Sequence, residues 1–236
     1  MARVSYETNK QQEKTPMPEL DPVERAACFD EVACGYTAED AINEARRCIQ
    51  CPKAPCMDGC PVGVPIPQFI EKVAHGEFAE AYALVKDANA LPAICGRVCP
   101  RGRKGEPVGI GRLERFVADW AMAQESAAAE GEGGAAESGH GRDLEGKRVA
   151  VVGSGPASLT CAGELAKRGC SVRVFEALHK AGGVLTYGIP EFRLPKDLVE
   201  REVSQLADQG VEFEMNALVG KLYGIDELMD ERGFDA

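Results

Sequence analysis

The chain has 236 residues, of which 44% are hydrophobic, so it can fill more than one core, and we expect two domains. Its formal net charge of −11, from 38 acidic against 27 basic residues, argues against broad binding to nucleic acid or to an anionic membrane. The first residues contain no apolar signal region, and no later segment reaches the length of a membrane span. The sequence therefore predicts a cytoplasmic protein, in which thiols stay reduced.

Helix-start signals occur twice before the first group of cysteines. Pro22 follows Asp21, the usual arrangement of a capping residue and a first helical position. Thr37, with Asp40 three residues later, resembles a capping box, and the helix that follows would end at Cys48. The sequence therefore predicts that the end of a helix presents the first of these cysteines.

The densest cluster of reactive side chains is the pattern Cys48-x2-Cys51-x4-Cys56-x3-Cys60, which a proline follows directly. Thiolates this close together, on short loops interrupted by proline and glycine, are typical of iron-sulfur ligands, because tight turns let successive side chains converge on one inorganic group. A structural zinc site and a disulfide framework are the alternatives. Zinc more often takes two separated C-x2-C pairs, and disulfides do not suit a reducing compartment. The pattern favours an electron carrier.

Two amphipathic helices are predicted after these cysteines, because apolar residues recur at spacings of three and four on either side of Gly76. The two helices would bring a second cysteine group, Cys95 and Cys99, back toward the first. A third helix follows, in which Phe116 and Trp120 share one side and are expected to pack in the core. The apolar positions of the first two helices are Ile66, Phe69, Ile70, Val73, Phe78, Tyr82 and Val85.

A change in composition divides the chain. The run over 124–143 is small, polar and aperiodic and cannot bury an apolar face, so it is predicted to be a flexible linker. The pattern before it is helical, whereas short apolar runs alternate with a helix after it. The sequence therefore predicts a helical iron-sulfur domain over 1–123, a linker over 124–145 and an α/β domain over 146–236.

The segment after the linker has the order strand, glycine turn, helix and strand, which is typical of a dinucleotide-binding βαβ unit. Gly153 permits the tight turn, Gly155 lets the backbone approach a pyrophosphate, and Ser158 takes the third glycine position. Glu176 ends the second strand, where it would bond ribose hydroxyls and disfavour the 2′-phosphate of NADP, so FAD or NAD is the expected ligand. The alternatives are a glycine turn that binds nothing and a solvated acid at a strand end.

Several motifs, in this order along the chain, resemble the small subunit of NADPH-dependent glutamate synthase and its relatives: CIQCPKAPCMDGCP, CGRVCP, KGEPVGIGRLERF, VVGSGPAS, EALHKAGGVLTYGIPEFRLP and ERGFDA. The relatives include the NADH-dependent ferredoxin:NADP oxidoreductase subunit and the N-terminal part of dihydropyrimidine dehydrogenase. The resemblance covers nearly the whole chain apart from its first residues and the linker. It implies a helical domain with two 4Fe-4S clusters, followed by an FAD-binding Rossmann-type domain that is incomplete here.

The resemblance also implies cluster ligands. Three cysteines match ligands of one cluster and two match ligands of the other, namely Cys48, Cys51 and Cys56 in the first, and Cys60 and Cys99 in the second. Glu114 matches an unusual non-cysteine ligand of the family, although a carboxylate is a hard ligand and its chemistry alone favours an exposed helix residue. Cys95 matches a cysteine that is not a ligand. The relatives carry two more cysteines between the CGRVCP and KGEP motifs, so each ligand set is one short in this chain.

For the flavin site, the resemblance implies that the glycine turn holds the FAD pyrophosphate and that Glu176 holds the ribose. Gly183, Val184 and Arg193 would contact the rest of FAD, and Val219 would lie near the adenine. A glycine pair lets the backbone pass close to a ligand, and an arginine is a fixed cation that can bond phosphate or flavin oxygen. The residues of the turn are Gly153, Ser154, Gly155, Pro156, Ala157 and Ser158.

The relatives continue into an NADPH-binding domain with its own glycine motif, and this sequence contains no second fingerprint. The resemblance implies a fragment of a subunit that passes electrons from NAD(P)H through FAD and 4Fe-4S clusters to a larger partner subunit, of the glutamate synthase or the ferredoxin type. The ferredoxin:NADP oxidoreductase subunit is the alternative, and a non-catalytic adaptor that docks on a partner is an alternative of another class. No acid, base or nucleophile is assigned, and neither nucleic acid nor a membrane is an expected partner.

Overall fold

The computed structural model describes residues 5–89, 99–103, 105–128 and 143–236. The chain divides into two compact units, which are Met1–Leu20 with Ala33–Ala136, and Asp21–Val32 with Glu137–Ala236. Within the described part of the chain, no helix has both the length and the apolar character needed to cross a membrane.

Residues 21–32 belong to the second unit, whereas the sequence placed them in the helical domain. They contain helix α1 (Pro22–Arg25), whose first turn is capped by the Asp21 carboxylate, which accepts a hydrogen bond of 2.8 Å from the Val23 amide. The Val32 amide donates a hydrogen bond of 3.0 Å to the Phe192 carbonyl. This contact between residues far apart in sequence explains why the compact units differ from the predicted domains at this segment.

The first unit is helical. Its elements are α2 (Ala38–Ala45), α3 (Pro55–Asp58), α4 (Ile66–His75), α5 (Phe78–Ala88), a 3₁₀ turn (Pro100–Arg103) and α6 (Ile110–Ala128). Helix α6 continues beyond position 123, where the sequence placed the start of the linker. Residues 129–142, which make up most of the predicted linker, lie outside the described residues.

Local sequence signals explain where these helices begin and end. The Thr37 hydroxyl accepts a hydrogen bond of 3.1 Å from the Asp40 amide, and the Asp40 carboxylate accepts one of 3.1 Å from the Thr37 amide, so the predicted capping box is confirmed. Gly76, between α4 and α5, has a φ of 79°, a left-handed conformation that ends α4. The two helices predicted from apolar spacing are therefore confirmed.

The core of the first unit lies between α4, α5 and α6. The Phe78 ring meets the Phe116 ring edge-on at 5.0 Å and the Trp120 ring at 5.8 Å. Phe116 is buried in the core as predicted, whereas Trp120 is half-buried. Each large apolar side chain that is fully buried stabilises the fold by about 1.5–3 kcal/mol. Side chains of this core that are fully buried include Phe69, Ile70, Val73, Val85 and Leu113.

The second unit contains a parallel sheet in the order β1 (Arg148–Val152), β2 (Ser171–Phe175) and β3 (Glu212–Glu214). Helix α7 (Pro156–Lys167) joins β1 to β2, which confirms the predicted βαβ unit and an incomplete Rossmann-type fold. The remaining elements are α8 (Val184–Tyr187), α9 (Lys196–Asp208) and a π-helical turn (Glu227–Glu231). The pattern of the sequence had not predicted β3.

The last residues of the chain pair with β1. The Asp235 amide donates to the Arg148 carbonyl at 2.7 Å, and the Ala150 amide donates to the Ala236 carbonyl at 2.9 Å. Phe234 packs edge-on against Phe175 with ring centres 5.7 Å apart. These hydrogen bonds hold the last residues of the chain alongside β1.

Candidate functional site

Four cysteines line one small cavity in the first unit, which has a volume of about 20 Å³. Cys48, Cys51 and Cys56 come from the first cysteine group, and Cys99 comes from the second. The rest of the lining is apolar apart from Arg101. The apolar residues are Ile49, Ala54, Ile66, Pro67, Ile70, Pro100, Val108 and Ile110.

Backbone conformation explains how three cysteines that are close in sequence reach one cavity. Cys48 lies just after the end of α2, and Cys56 lies within the single turn of α3. Between them, Gln50 and Ala54 have φ values of 47° and 36°, in the left-handed region that residues with a Cβ seldom adopt. These two residues reverse the chain on either side of Cys51, so helix or strand geometry does not separate the thiols.

The loop that carries Cys48 is held by hydrogen bonds. The Tyr6 hydroxyl donates to the Cys48 carbonyl at 2.9 Å. The Gln50 side-chain amide donates to the Pro67 carbonyl at 2.8 Å and to the Tyr6 hydroxyl at 3.3 Å. The cysteine loop is thereby fixed to the N-terminal segment and to the first turn of α4.

A buried ion pair lies beside the cysteine loop. Glu44 and Arg47 are both fully buried, and the Arg47 guanidinium contacts the Glu44 carboxylate at 2.6 Å. The same carboxylate accepts hydrogen bonds of 2.7 Å from the amides of Thr15 and Gly109. The guanidinium also donates to three backbone carbonyls, those of Gln11, Gln12 and Glu106.

These contacts join three parts of the chain that are far apart in sequence, namely 11–15, 44–47 and 106–109. Because every polar atom of the pair has a partner, burial of the two charges is compensated. We refer to Glu44 and Arg47 with these partners as the Glu44–Arg47 hub. The hub was not predicted, since nothing in the sequence of a charged pair on one helix turn indicates that the pair is buried.

Burial also affects the thiols. It raises the pKa of Cys48 to about 11, with smaller opposing effects from hydrogen bonds of Gln50 and Tyr6, and negative charge on Cys99 or Cys51 would raise it further. Burial, and then the nearby Cys99, also raises the pKa of Cys51 and that of Cys56. Without metal these thiols are therefore protonated at neutral pH, and binding of a metal cluster would release protons.

Two of the predicted metal ligands do not line this cavity. Cys60 is half-buried and packs against the helical core, and Glu114 is 2% exposed on α6, where it contacts other residues. The expectation of an exposed carboxylate at Glu114 from chemistry alone was therefore wrong. Cys95 lies outside the described residues. Among the residues that are described, no three His, Cys, Asp or Glu side chains are close enough to hold a single metal ion.

In the second unit, the glycine turn follows β1 as predicted. Gly153 has a φ of 86°, and Gly155 is the residue before α7. No side chain caps this end of α7, whose first turn begins with Pro156, Ala157 and Ser158. The amides at this helix end, with the positive end of the helix dipole, are the arrangement that binds pyrophosphate groups.

The glycine turn is in close contact with the Gly182–Gly183 pair. Gly183 has a φ of 52°, and a Cβ atom placed on it would lie 3.0 Å from the Gly155 Cα atom. The Gly182 amide donates to the Ser154 carbonyl at 3.1 Å and to the Ser154 hydroxyl at 3.0 Å. The structure therefore brings Gly183 against the turn, as the sequence predicted for residues of one site.

Glu176 is buried beneath this turn. Its carboxylate accepts hydrogen bonds from the Ser154 hydroxyl, from the Ser154 amide at 2.8 Å and from the Leu178 amide at 2.8 Å. Burial opposes ionisation, but these hydrogen bonds and one from the Ala177 backbone hold the pKa of Glu176 below its usual value. The carboxylate thus fixes the turn itself, a role that the sequence analysis did not foresee.

The other residues predicted to contact FAD lie farther along the chain. Val184 begins α8 directly after Gly183 and is 58% exposed, and Arg193 is exposed. Val219 is half-buried and packs against the cluster that contains Phe175 and Phe234. Of these three residues, Val184 lies at the glycine turn, because it directly follows Gly183, which contacts Gly155.

Comparisons with known proteins agree with the two types of domain. Residues 25–126 match the family profile described as dihydropyrimidine dehydrogenase domain II, 4Fe-4S cluster. Residues 151–207 match the family profile described as NAD(P)-binding Rossmann-like domain. The glutamate synthase (NADPH) small chain of Azospirillum brasilense is 37% identical over 224 residues, which are 90% of this chain and 45% of that protein.

The resemblance to the glutamate synthase small chain and its relatives is confirmed. The glutamate synthase small chain of Halomonas elongata is 35% identical over 91% of this chain and 46% of its own length. The NAD-dependent dihydropyrimidine dehydrogenase subunit PreT of Salmonella typhimurium is 34% identical over 86% of this chain and 49% of its own length. The chain spans slightly less than half of the length of these curated relatives.

Among solved structures, a complex of 2-naphthoyl-CoA reductase matches 67% of this chain and 21% of its own chain, with 20% identity and a TM-score of 0.32. A similarity at this level carries no argument about this protein.

Proposed function

We propose that this chain is the iron-sulfur and FAD-binding part of an NAD(P)H-dependent oxidoreductase subunit like the glutamate synthase small chain. In such a subunit, electrons pass from NAD(P)H through FAD and 4Fe-4S clusters to a larger partner subunit. One observation carries the proposal: the same chain contains a cavity lined by four thiols and a glycine turn before a helix end that no side chain caps. The relatives of this chain include glutamate synthase small chains.

The donor set of the cavity fits an iron-sulfur cluster. Thiolates are the soft ligands that these clusters use, and an apolar wall limits the access of solvent. The cysteines would hold the cluster, and the Glu44–Arg47 hub and Tyr6 would fix the positions of the loops that carry them. When bound, the cluster would supply one-electron transfer.

The glycine turn fits a dinucleotide. The N-terminal end of α7, which no side chain caps, can receive a pyrophosphate. We assign this site to FAD, because it corresponds to the flavin site of the family that the sequence resembles. When bound, FAD would supply the conversion from two-electron hydride transfer to one-electron transfer. The protein contributes binding and orientation, and no residue is assigned to proton transfer.

The glutamate synthase interpretation is favoured over the ferredoxin:NADP oxidoreductase alternative because glutamate synthase small chains occur among the relatives by name. A larger partner subunit of that enzyme is therefore the proposed electron acceptor. We further propose a cytoplasmic location, because thiolate ligands require a reducing compartment.

Measurements on protein purified without oxygen test this proposal. Iron, acid-labile sulfide and flavin should be present together, and the flavin should be FAD after release by acid. Zinc in place of iron and sulfide would indicate an interaction module. A colourless protein without metal or flavin, even after reconstitution with iron, sulfide and FAD, would indicate an adaptor and overturn the proposal.

A further inference from the structure

The geometry points to one complete 4Fe-4S site in this chain, with Cys48, Cys51, Cys56 and Cys99 as its four ligands. This inference rests on the proposed function, in that it specifies which residues hold the iron-sulfur group. It differs from the assignment implied by the resemblance, in which Cys99 serves a second cluster and both ligand sets are one cysteine short.

The first step is the count of ligands. A cubane cluster has four irons, each of which takes one protein ligand, and four cysteines are the usual set. Three thiols of the cavity come from the loop 48–56, and Cys99 from a separate segment is the fourth thiol of the same lining. The set is therefore complete without either of the two cysteines that the relatives have and this chain lacks.

The second step concerns the shape of the site. The four thiols all line the wall of the same cavity. A cubane binds each thiolate at a different iron, so its ligands stand farther apart than those of one zinc ion. A lining that contains four thiols matches the number of irons in such a cluster.

The third step concerns the residues that remain as ligands for a second cluster. With Cys99 in the first site, Cys60 and Glu114 are the assigned ligands that are left, and neither lines the cavity. Two residues, one of them a hard carboxylate, cannot ligate four irons. The predicted ligands that remain in the described part of the chain therefore do not complete a second cubane.

The position of Cys99 is fixed by its own surroundings. The Gly102 amide donates to the Cys99 carbonyl at 3.0 Å within the 3₁₀ turn. The Arg101 guanidinium donates to the carbonyls of Gln11 and Asn9, in the segment that also bonds to Arg47. Arg101 is also the charged residue in the lining of the cavity, where its cation can offset the negative charge of four thiolates and a cluster.

Single-cysteine variants test this inference on oxygen-free protein. The wild type should contain about 4 iron and about 4 sulfide per chain, and show a single set of electron paramagnetic resonance signals after reduction with dithionite. Cys51→Ala and Cys99→Ala should each lose at least half of the bound iron. Cys60→Ala should keep the iron content and the resonance spectrum of the wild type.

Two further variants serve as controls. Cys34→Ala removes an exposed thiol of the same unit and should change neither the iron content nor the spectrum. Cys99→Ser keeps the size of the side chain and should shift the resonance signals if serine oxygen replaces the thiolate. Circular dichroism and Trp120 fluorescence establish that the first unit is folded in each variant, because the single tryptophan lies in that unit.

The possible outcomes separate the two proposals. A wild type with about 8 iron and two sets of signals, or a loss of iron in Cys60→Ala equal to that in Cys99→Ala, would overturn the single-site inference and leave the proposed function intact. Loss of iron in Cys95→Ala but not in Cys99→Ala would also overturn it. A wild type that binds no iron at all would instead overturn the proposed function.

Discussion

The two sites of this protein are assembled in different ways. In the second unit, the glycine turn, Glu176 and Gly183 come from one continuous stretch of about thirty residues, made of the βαβ unit and the loop after it. In the first unit, the thiols of 48–56 share a cavity with Cys99 only because the chain folds back and brings two distant segments together. The comparison teaches that a local site is built by its own motif, whereas a dispersed one depends on contacts outside the motif.

Each site also buries a carboxylate, but with different partners. Glu44 is paired with the Arg47 cation, which joins three distant segments. Glu176 is held by neutral donors, mostly from Ser154 and Leu178. Removal of one partner should therefore have a larger effect in the first unit, because it leaves an unpaired buried charge.

The largest effect is expected for Arg47→Met. This change leaves the Glu44 carboxylate buried without its cation and should destabilise the first unit by about 3–5 kcal/mol. Urea unfolding, monitored by fluorescence, measures this loss of unfolding free energy, because the single tryptophan, Trp120, lies in this unit. Arg46→Met, on the exposed neighbouring residue, should change the stability by less than about 0.5 kcal/mol. Equal effects of the two variants would contradict the role of the hub.

A smaller effect is expected for Gly183→Ala in the second unit. The new methyl group would meet the Gly155 backbone at 3.0 Å, and the residue has positive φ, so the unit should lose about 3 kcal/mol of stability together with FAD binding. Gly155→Ala is the matched control, because its Cβ would meet no protein atom within 4 Å. It should keep the melting temperature yet weaken FAD binding, since the methyl group takes space beside the pyrophosphate. Thermal melting of Gly183→Ala unchanged from the wild type would contradict the close backbone contact.

Glu176→Gln comes next. The pKa of Glu176 is lowered in the folded protein, so its ionised form contributes stability above the pKa of the unfolded chain, and this contribution is lost as the pH falls through the folded value. The variant should be less stable than the wild type by about 2 kcal/mol at pH 7. The difference should shrink in acid, and urea titrations between pH 7 and pH 3 followed by circular dichroism measure it. A difference that is independent of pH would show that charge is not involved.

The smallest effect is expected for Ala54→Gly in the cysteine loop. Ala54 has a φ of 36°, so glycine relieves a left-handed conformation and should stabilise the first unit by about 0.5–1 kcal/mol. Ala79→Gly, at an exposed position within α5, should have the opposite sign and cost about 1 kcal/mol. Trp120 fluorescence during urea unfolding compares them, and a loss of stability in both would argue against strain at Ala54.

Much of the fold could be predicted because its signals are local. The capping box at Thr37, the left-handed Gly76 between two helices and the glycine turn at Gly153 each act within a few residues, and the structure confirms all three. Strand β3 was missed because it has three residues, EFE, which carry too short a pattern to show alternation. The grouping of residues 21–32 with the second unit depends on the bond from Val32 to Phe192, which no local pattern encodes.

The sequence by itself determined which chemistry this protein carries, because a run of closely spaced cysteines and a glycine fingerprint each bring their functional groups together through local geometry. Only the tertiary structure decided that Cys99 lines the same cavity as the first three cysteines while Cys60 and Glu114 do not. It also decided that Glu44 and Arg47 are buried and that Glu176 holds its own turn. Burial and pairing between distant residues depend on how segments pack, and a linear spacing of residue types carries no record of that packing.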